Sequence, residues 1–166
     1  MGTPGAAVAL REIDADTVRA ICALRVTPAQ ERLVAHNAVS IAQAYFEPAA
    51  WFRAVYAADE PVGFAMLYDP TRAAAPERRD TCHLWRFMIA APHQHRGYGA
   101  AALTQLIGHV RTLAGVSRFA LSFVPAEGDP RGFYARFGFR ETGEVDDGEA
   151  VMELALSMAI ETTPRR

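Results

Sequence analysis

The chain has 166 residues, 51% of them hydrophobic and 22% charged, a composition that predicts one globular domain with a single sizeable core. Seventeen basic residues oppose nineteen acidic ones, and the net charge of −2 argues against nucleic acid or anionic lipid as a partner. Cys22 and Cys82 lack partners at metal-site spacing, which argues against a metal site and favours reduced thiols in a cytoplasmic protein.

The N-terminus carries no recognisable targeting signal. Residues 1–7 lack the basic opening and the sustained apolar stretch of a secretory signal peptide. No apolar run reaches the roughly 20 residues that cross a membrane as a helix. We therefore expect an intracellular protein without a membrane partner, and we expect residues 1–7 and 161–166 to be frayed.

The first half of the chain alternates short strand and helix patterns. Asp14, Asp16 and Thr17 are residue types that cap helices, and Thr27-Pro28 is a pair that ends them. We predict a strand at residues 8–12, a helix with an apolar face at 18–24 and a second helix at 38–46. The two strands of a hairpin follow at 51–57 and 61–68, and an exposed loop follows at 69–80.

The second half contains the longest helix pattern and a second hairpin. Asp129-Pro130 opens a short helix, with Asp129 as the cap and Pro130 at the first helical position, and Asp146-Asp147-Gly148 is a hairpin turn signal. We predict a strand at 81–89, the long helix at 97–113, a buried strand at 119–123 and the short helix at 130–137. The two hairpin strands follow at 140–145 and 149–156. The long helix has an apolar stripe at Leu103, Leu106, Ile107 and Val110. No repeat interrupts this order, so we predict one α/β domain over residues 1–166 with a mixed sheet.

A glycine-rich turn, Gln94-His95-Arg96-Gly97-Tyr98-Gly99, joins the strand at 81–89 to the long helix. Its backbone amides could converge on a phosphate at the positive end of the helix dipole, with Arg96 adding a charge. A nucleotide P-loop is excluded because the lysine and the hydroxyl residue are absent, and the third glycine of a dinucleotide fingerprint is also missing. Taken alone, the turn could also be an ordinary tight turn.

Two motifs resemble those of the GNAT superfamily of N-acetyltransferases. The turn matches Q/R-x-x-G-x-G/A after the apolar strand LWRFMI at 84–89, and GFYARFGF at 132–139 is similar to A-x-x-x-Y-x-x-x-G-F. The resemblance covers nearly the whole chain. It implies the GNAT fold, with a central mixed, mostly antiparallel sheet of about seven strands and about four helices. It also implies acetyl-CoA as cosubstrate and no metal.

The resemblance implies a cofactor site in three parts. The backbone amides of Met88 and Ile89 would bind the pantetheine arm, where the strands 81–89 and 119–123 splay apart, and Phe87 is a further residue of the cofactor site. Asp129, which replaces an asparagine common in the family, would contact the same arm together with Tyr134. The pyrophosphate would be held by the turn residues Gln94, His95, Arg96, Gly97, Tyr98, Gly99 and Ala100.

The resemblance also implies the catalytic groups. Tyr134 matches the superfamily's general-acid tyrosine, which would protonate the departing thiolate. In some members the base is a glutamate on the strand before the turn, and His83 occupies that place here. A histidine titrates near neutral pH and suits the task, although a water molecule could relay the proton instead.

The most local resemblance is to bacterial spermine/spermidine acetyltransferases of the Bacillus type, through residues 37–45, 84–89 and 141–149. It implies a polyamine acceptor, which requires carboxylates along a cleft. The available acids are Glu47, Glu141, Glu144, Asp146, Asp147 and Glu149, although Asp146 and Asp147 also fit a solvated turn. We assign Tyr45, Glu47 and Trp85 to the acceptor site, with core packing as the alternative for Trp85.

The sequence leaves three other functions open. The acceptor could be an antibiotic amine or a protein N-terminus, and the protein could be a CoA-binding sensor without catalysis. The C-terminal strands could pair across a two-fold axis, so we expect a homodimer.

Overall fold

The computed structural model describes residues 7–157, which form one seven-stranded sheet in the order β1-β2-β3-β4-β5-β7-β6. The strands are β1 Ala9–Arg11, β2 Ala50–Ala57, β3 Glu60–Tyr68, β4 Thr81–Ile89, β5 Arg118–Phe123, β6 Arg140–Asp146 and β7 Glu149–Ala155. The α-helices within this range are α1 Val18–Ala23, α2 Asn37–Phe46, α3 Tyr98–Val110 and α4 Arg131–Ala135. Apart from Ala7, the residues predicted to fray lie outside the described range.

The neighbouring strands are antiparallel except for β4 and β5, which are parallel. The parallel pair requires a crossover, and α3 supplies it. This confirms the predicted mixed, mostly antiparallel sheet of the GNAT fold. The two predicted hairpins are β2–β3 and β6–β7, and Asp147 and Gly148 turn the second with φ of 46° and 83°.

Helices cover both faces of the sheet. The predicted stripe of α3 is buried at 0–7% exposure and packs with alternate residues of β3 to β5, together with α4. On the opposite face, Ile21 of α1 is fully buried against Phe64 and Met66 of β3, and α2 packs there through Ile41 and Ala44. The alternation of β3 residues between these faces follows from the two-residue period of a strand.

The short helix α4 differs from its predicted bounds. Pro130 stands at the N-cap and Arg131 is the first helical residue, so the helix begins one residue later than expected. The reason is the Asp129 carboxylate, which accepts the Arg131 N–H at 3.0 Å and forms a turn before the helix. The helix also ends at Ala135 rather than at Phe137, and Gly138 follows with φ of 94°.

The segment 69–80 is a loop as predicted, but its first residue is not exposed. Asp69 is 3% exposed, because its N–H donates to the Ala49 carbonyl at 2.8 Å and its carboxylate accepts the Thr71 hydroxyl at 2.7 Å. The loop is therefore anchored where it leaves β3.

A β-bulge lies in the middle of β4. Met66 pairs with Arg86, but the next residue of β3, Leu67, pairs with Leu84, which leaves Trp85 without a partner in the ladder. A bulge bends a strand and changes the direction of its side chains. It lies just where β4 loses contact with β5.

Candidate functional site

The parallel strands β4 and β5 separate partway along their length. Their pairing runs from Thr81 with Arg118 to Leu84 with Leu121 and then stops, although β4 continues to Ile89. A cleft of about 1830 Å³ opens at this separation. Typical ligand pockets measure about 300–1,000 Å³, so the cleft has room for two ligands.

Beyond Leu84, every second backbone N–H group of β4 points toward the cleft. The Ala90 N–H donates to the Val62 carbonyl of β3 at 2.8 Å, so the alternation of an antiparallel ladder directs the Met88 N–H toward β3 as well. The amides of Phe87 and Ile89 point the other way, toward the gap left by β5. The sequence predicts the amides of Met88 and Ile89 in this gap; the register places the Ile89 amide there, but the second amide is that of Phe87 and not that of Met88.

The glycine-rich turn follows β4 and has the backbone shape of an anion site. His95 and Gly97 have φ of 60° and 83°, and Gly97 is the N-cap of α3. Gly97 has no side chain to cap the helix, so the first amides of α3, from Tyr98 to Ala100, have no intrahelical partner. With the helix dipole behind them, these amides can bind a phosphate.

Gln94 has a different role from the rest of the turn. Its side-chain amide donates to the Ile89 carbonyl at 2.9 Å and to the Gln30 side-chain oxygen at 2.8 Å. Both N–H groups are therefore used to hold the turn against the end of β4 and against the loop before α2. His95 and Gly97 line the cleft, whereas Arg96 does not. Arg96 is exposed and forms no ion pair within residues 7–157.

Tyr134 lies in α4 and reaches the cleft from the α3 side of the sheet. It is 8% exposed, and its ring makes edge-to-face contacts with Phe133 and Phe139 at centroid distances of 5.2 and 5.7 Å. Burial raises the pKa of the Tyr134 phenol above its ordinary value of 10, so the group stays protonated at neutral pH.

His83 lies near the start of β4, whereas the glycine-rich turn follows the end of that strand, and His83 also lines the cleft. The residue is exposed to solvent where it lines the cleft. Desolvation and the charge of Arg78 lower the pKa of His83, and the carboxylates of Glu153, Glu77 and Asp146 oppose this. The imidazole is therefore neutral at pH 7 and can accept a proton.

Carboxylates surround this end of the cleft. Those that line it are Glu77, Glu144, Asp146, Glu149 and Glu153. Glu77 and Glu153 are two that we did not identify from the sequence. Glu153 could have been noticed as an acidic residue within the alternating apolar pattern of β7, whereas Glu77 lies in a loop and has no such pattern around it.

The carboxylate of Glu153 accepts hydrogen bonds from Arg78 and Arg118 at 2.9 and 3.1 Å. Partial burial raises the pKa of Glu153, but these hydrogen bonds more than offset it and lower the pKa overall.

Two of the predicted acceptor residues are placed elsewhere. Tyr45 is 85% exposed near the end of α2, and the Glu47 carboxylate accepts the Ala49 N–H at 2.9 Å, so neither lines the cleft. Trp85 does line it, while its ring also packs into the core beneath α1 and α2. Asp129 lines the cleft too, but its carboxylate is engaged by the Arg131 N–H.

Residues 7–157 contain no helix long and apolar enough to span a membrane. In the same part of the chain, no group of three or more His, Cys, Asp or Glu side chains could hold a metal ion.

Solved structures share this fold. The ribosomal-protein-S18-alanine N-acetyltransferase from Escherichia coli is similar at 18% identity with a TM-score of 0.66, over 96% of this chain and 100% of that one. N-acetylglutamate synthase from Neisseria gonorrhoeae, complexed with coenzyme A and N-acetyl-glutamate, is similar at 17% identity and a TM-score of 0.67, over 93% and 36%. A GNAT family acetyltransferase from Elizabethkingia anophelis with acetyl-CoA bound gives 14% and 0.63, over 90% and 98%.

Sequence comparison is more specific than these structural likenesses. No curated protein matches the sequence significantly. Residues 19–139, which are most of the chain, match the model of the acetyltransferase (GNAT) family. The chain therefore belongs to the GNAT family of acetyltransferases, whose acetyl donor is acetyl-CoA.

Proposed function

We propose that the protein transfers the acetyl group of acetyl-CoA to a primary amine, which attacks the donor directly within a ternary complex. The observation that carries the proposal is one continuous cleft with two chemically different ends. The unpaired amides at the start of α3 line one end, and carboxylates around His83 line the other. An anionic donor and a cationic acceptor fit these two ends.

The donor end fits CoA through backbone groups. The amides from Tyr98 to Ala100 would hold the pyrophosphate, and the free amides of Phe87 and Ile89 would hold the pantetheine arm. Gln94 keeps the turn in place through its bond to the Ile89 carbonyl. Bound acetyl-CoA supplies a reactive thioester.

His83 would act as the general base. Because its pKa is lowered, it is uncharged at neutral pH and can take the proton that the amine loses. Tyr134 would act as the general acid, since its raised pKa keeps the hydroxyl protonated. If water carries the amine proton away instead, His83→Gln will leave the rate unchanged.

Within the class of primary amines, the carboxylates favour a polyamine. Glu144 and Asp146 form no ion pair within residues 7–157, so they are available to bind an ammonium group. Tyr45 and Glu47 take no part in this proposal, because they lie outside the cleft. Trp85 would form part of the acceptor wall.

The test is thiol release from acetyl-CoA with spermidine, an aminoglycoside and a peptide with a free N-terminus. We expect the highest kcat/KM with spermidine, and a KM for spermidine that rises with salt concentration.

The double variant Glu144→Gln/Asp146→Asn should raise the KM for spermidine about 5- to 30-fold. Asp147→Asn is the matched control, because Asp147 lies outside the cleft at φ of 46°, which asparagine tolerates. Equal activity with all three amines would reject the polyamine class, and no thiol release would indicate a CoA sensor.

The proposal includes a cytoplasmic homodimer. The support for the dimer is β6, an edge strand that is exposed at all seven positions and could pair with a second copy. The support for the cytoplasm is that both cysteines are free thiols. Sedimentation of the purified protein will test the dimer.

A further inference from the structure

Arg86 is an arginine of the acceptor region that forms no ion pair within residues 7–157. It follows the bulge in β4 and lines the cleft. Its guanidinium donates to the Trp85 carbonyl at 2.9 Å and to the Gln43 side-chain oxygen at 3.3 Å. Both acceptors are neutral, and the Nε–H is buried without any partner.

Two other arginines at this end of the cleft, Arg78 and Arg118, pair with Glu153, whereas Arg86 forms no ion pair within residues 7–157. Arg32 and Arg136 also line the cleft without an ion pair, but both are exposed to solvent, whereas Arg86 is partly buried and has a buried N–H without a partner. Glu149 is near enough for its charge to favour the charged form of Arg86, but it forms no ion pair with the guanidinium, and one of its oxygens accepts the Ser122 hydroxyl. A partly buried guanidinium that lines a cleft and keeps unused N–H groups can bind a carboxylate through two parallel hydrogen bonds.

We infer that the acceptor carries a carboxylate, which Arg86 binds, in addition to the amines that the acidic lining binds. Among short acceptors with two amino groups, the preferred ones are then diamino acids, which carry a carboxylate in addition to the two amines. A diamino acid has the two ammonium groups of a short polyamine and also satisfies the donors of Arg86. This inference rests on the proposed acetyltransferase function and narrows its acceptor.

The test compares amines that differ only in the carboxylate. Lysine is matched with cadaverine and ornithine with putrescine, and kcat/KM is measured for each by thiol release. We expect the carboxylated member of a pair to be preferred by about 10- to 100-fold, the factor that a charged hydrogen-bonded pair provides. Arg86→Gln should remove the preference by lowering kcat/KM for lysine while cadaverine stays unchanged or improves. Arg86→Lys should keep only part of it, because lysine lacks the planar fork.

Two controls separate the possible failures. Arg79→Gln makes the same change in net charge at an arginine of the loop 69–80 that does not line the cleft, and it should keep the preference. Calorimetric titration of CoA into Arg86→Gln reports whether the variant is folded. Titration of lysine and of cadaverine into the CoA complex then compares the affinities of the two amines without turnover. Equal wild-type values within each matched pair would overturn the inference while leaving the acetyltransferase proposal intact. Absence of turnover with every amine would overturn the proposed function itself.

Discussion

Replacing Tyr134 by phenylalanine removes one oxygen atom and nothing else from the cleft. The edge-to-face contacts with Phe133 and Phe139 persist, and each is worth about 0.5–1.5 kcal/mol. The hydroxyl has no hydrogen-bond partner within residues 7–157, so the free energy of unfolding should change by less than about 1 kcal/mol. Loss of a general acid should lower kcat by about 100- to 10,000-fold.

The assay is thiol release at saturating amine, with thermal unfolding and CoA titration on the same samples. Tyr56→Phe is the matched control, because Tyr56 is buried to a similar degree, at 7% exposure, but lies on β2 outside the cleft. We expect the control to keep wild-type activity. Full activity of Tyr134→Phe, with unfolding and CoA affinity unchanged, would refute the assigned acid role.

Three further predictions concern the backbone and the histidines. Gly97→Ala, at φ of 83°, should cost about 1–2 kcal/mol of unfolding free energy and raise the KM for acetyl-CoA. Gly108→Ala, in the exposed last turn of α3 where a Cβ meets no atom within 4 Å, should instead stabilise the protein; thermal unfolding and donor titration check both. Gly63→Ala should destabilise by about 1–3 kcal/mol in urea unfolding, since its Cβ would lie 2.5 Å from a backbone oxygen of β4. The pKa values of His83 and His109 are lowered from 6.5, so the unfolded state binds more protons than the folded state as the pH falls below about 6.5. The free energy of unfolding should therefore decrease as the pH is lowered through this range, and the variant with both His83→Gln and His109→Gln should lose that dependence.

The fold could be predicted because its signals are local. The stripe of α3, the turn at Asp147 and the strand Thr81–Ile89 each depend on residues close together in the chain, and the structure has all three. The bulge at Trp85 could not be predicted, since it depends on which residue of β3 lies opposite. The same long-range register decides that the amides of Phe87 and Ile89, rather than Met88, face the gap.

The donor end of the candidate site was easier to predict than the acceptor end. Gln94 to Gly99 are contiguous and their glycines have a specific spacing, so one segment identifies the turn. The acceptor end is assembled from the loop 69–80, β4 and the β6–β7 hairpin. Glu153 reaches it only because β7 lies beside β5, a neighbour relation that no local pattern contains.

The most direct test of the central claim is the stoichiometry of one reaction. Purified protein is incubated with acetyl-CoA and a diamine, and both the free CoA and the N-acetylated amine are quantified by mass spectrometry over time. The two products should appear in equal amounts, and only when protein and amine are both present. Free CoA that forms at the same rate without the amine, or no acetylated amine from any acceptor tested, would contradict an N-acetyltransferase.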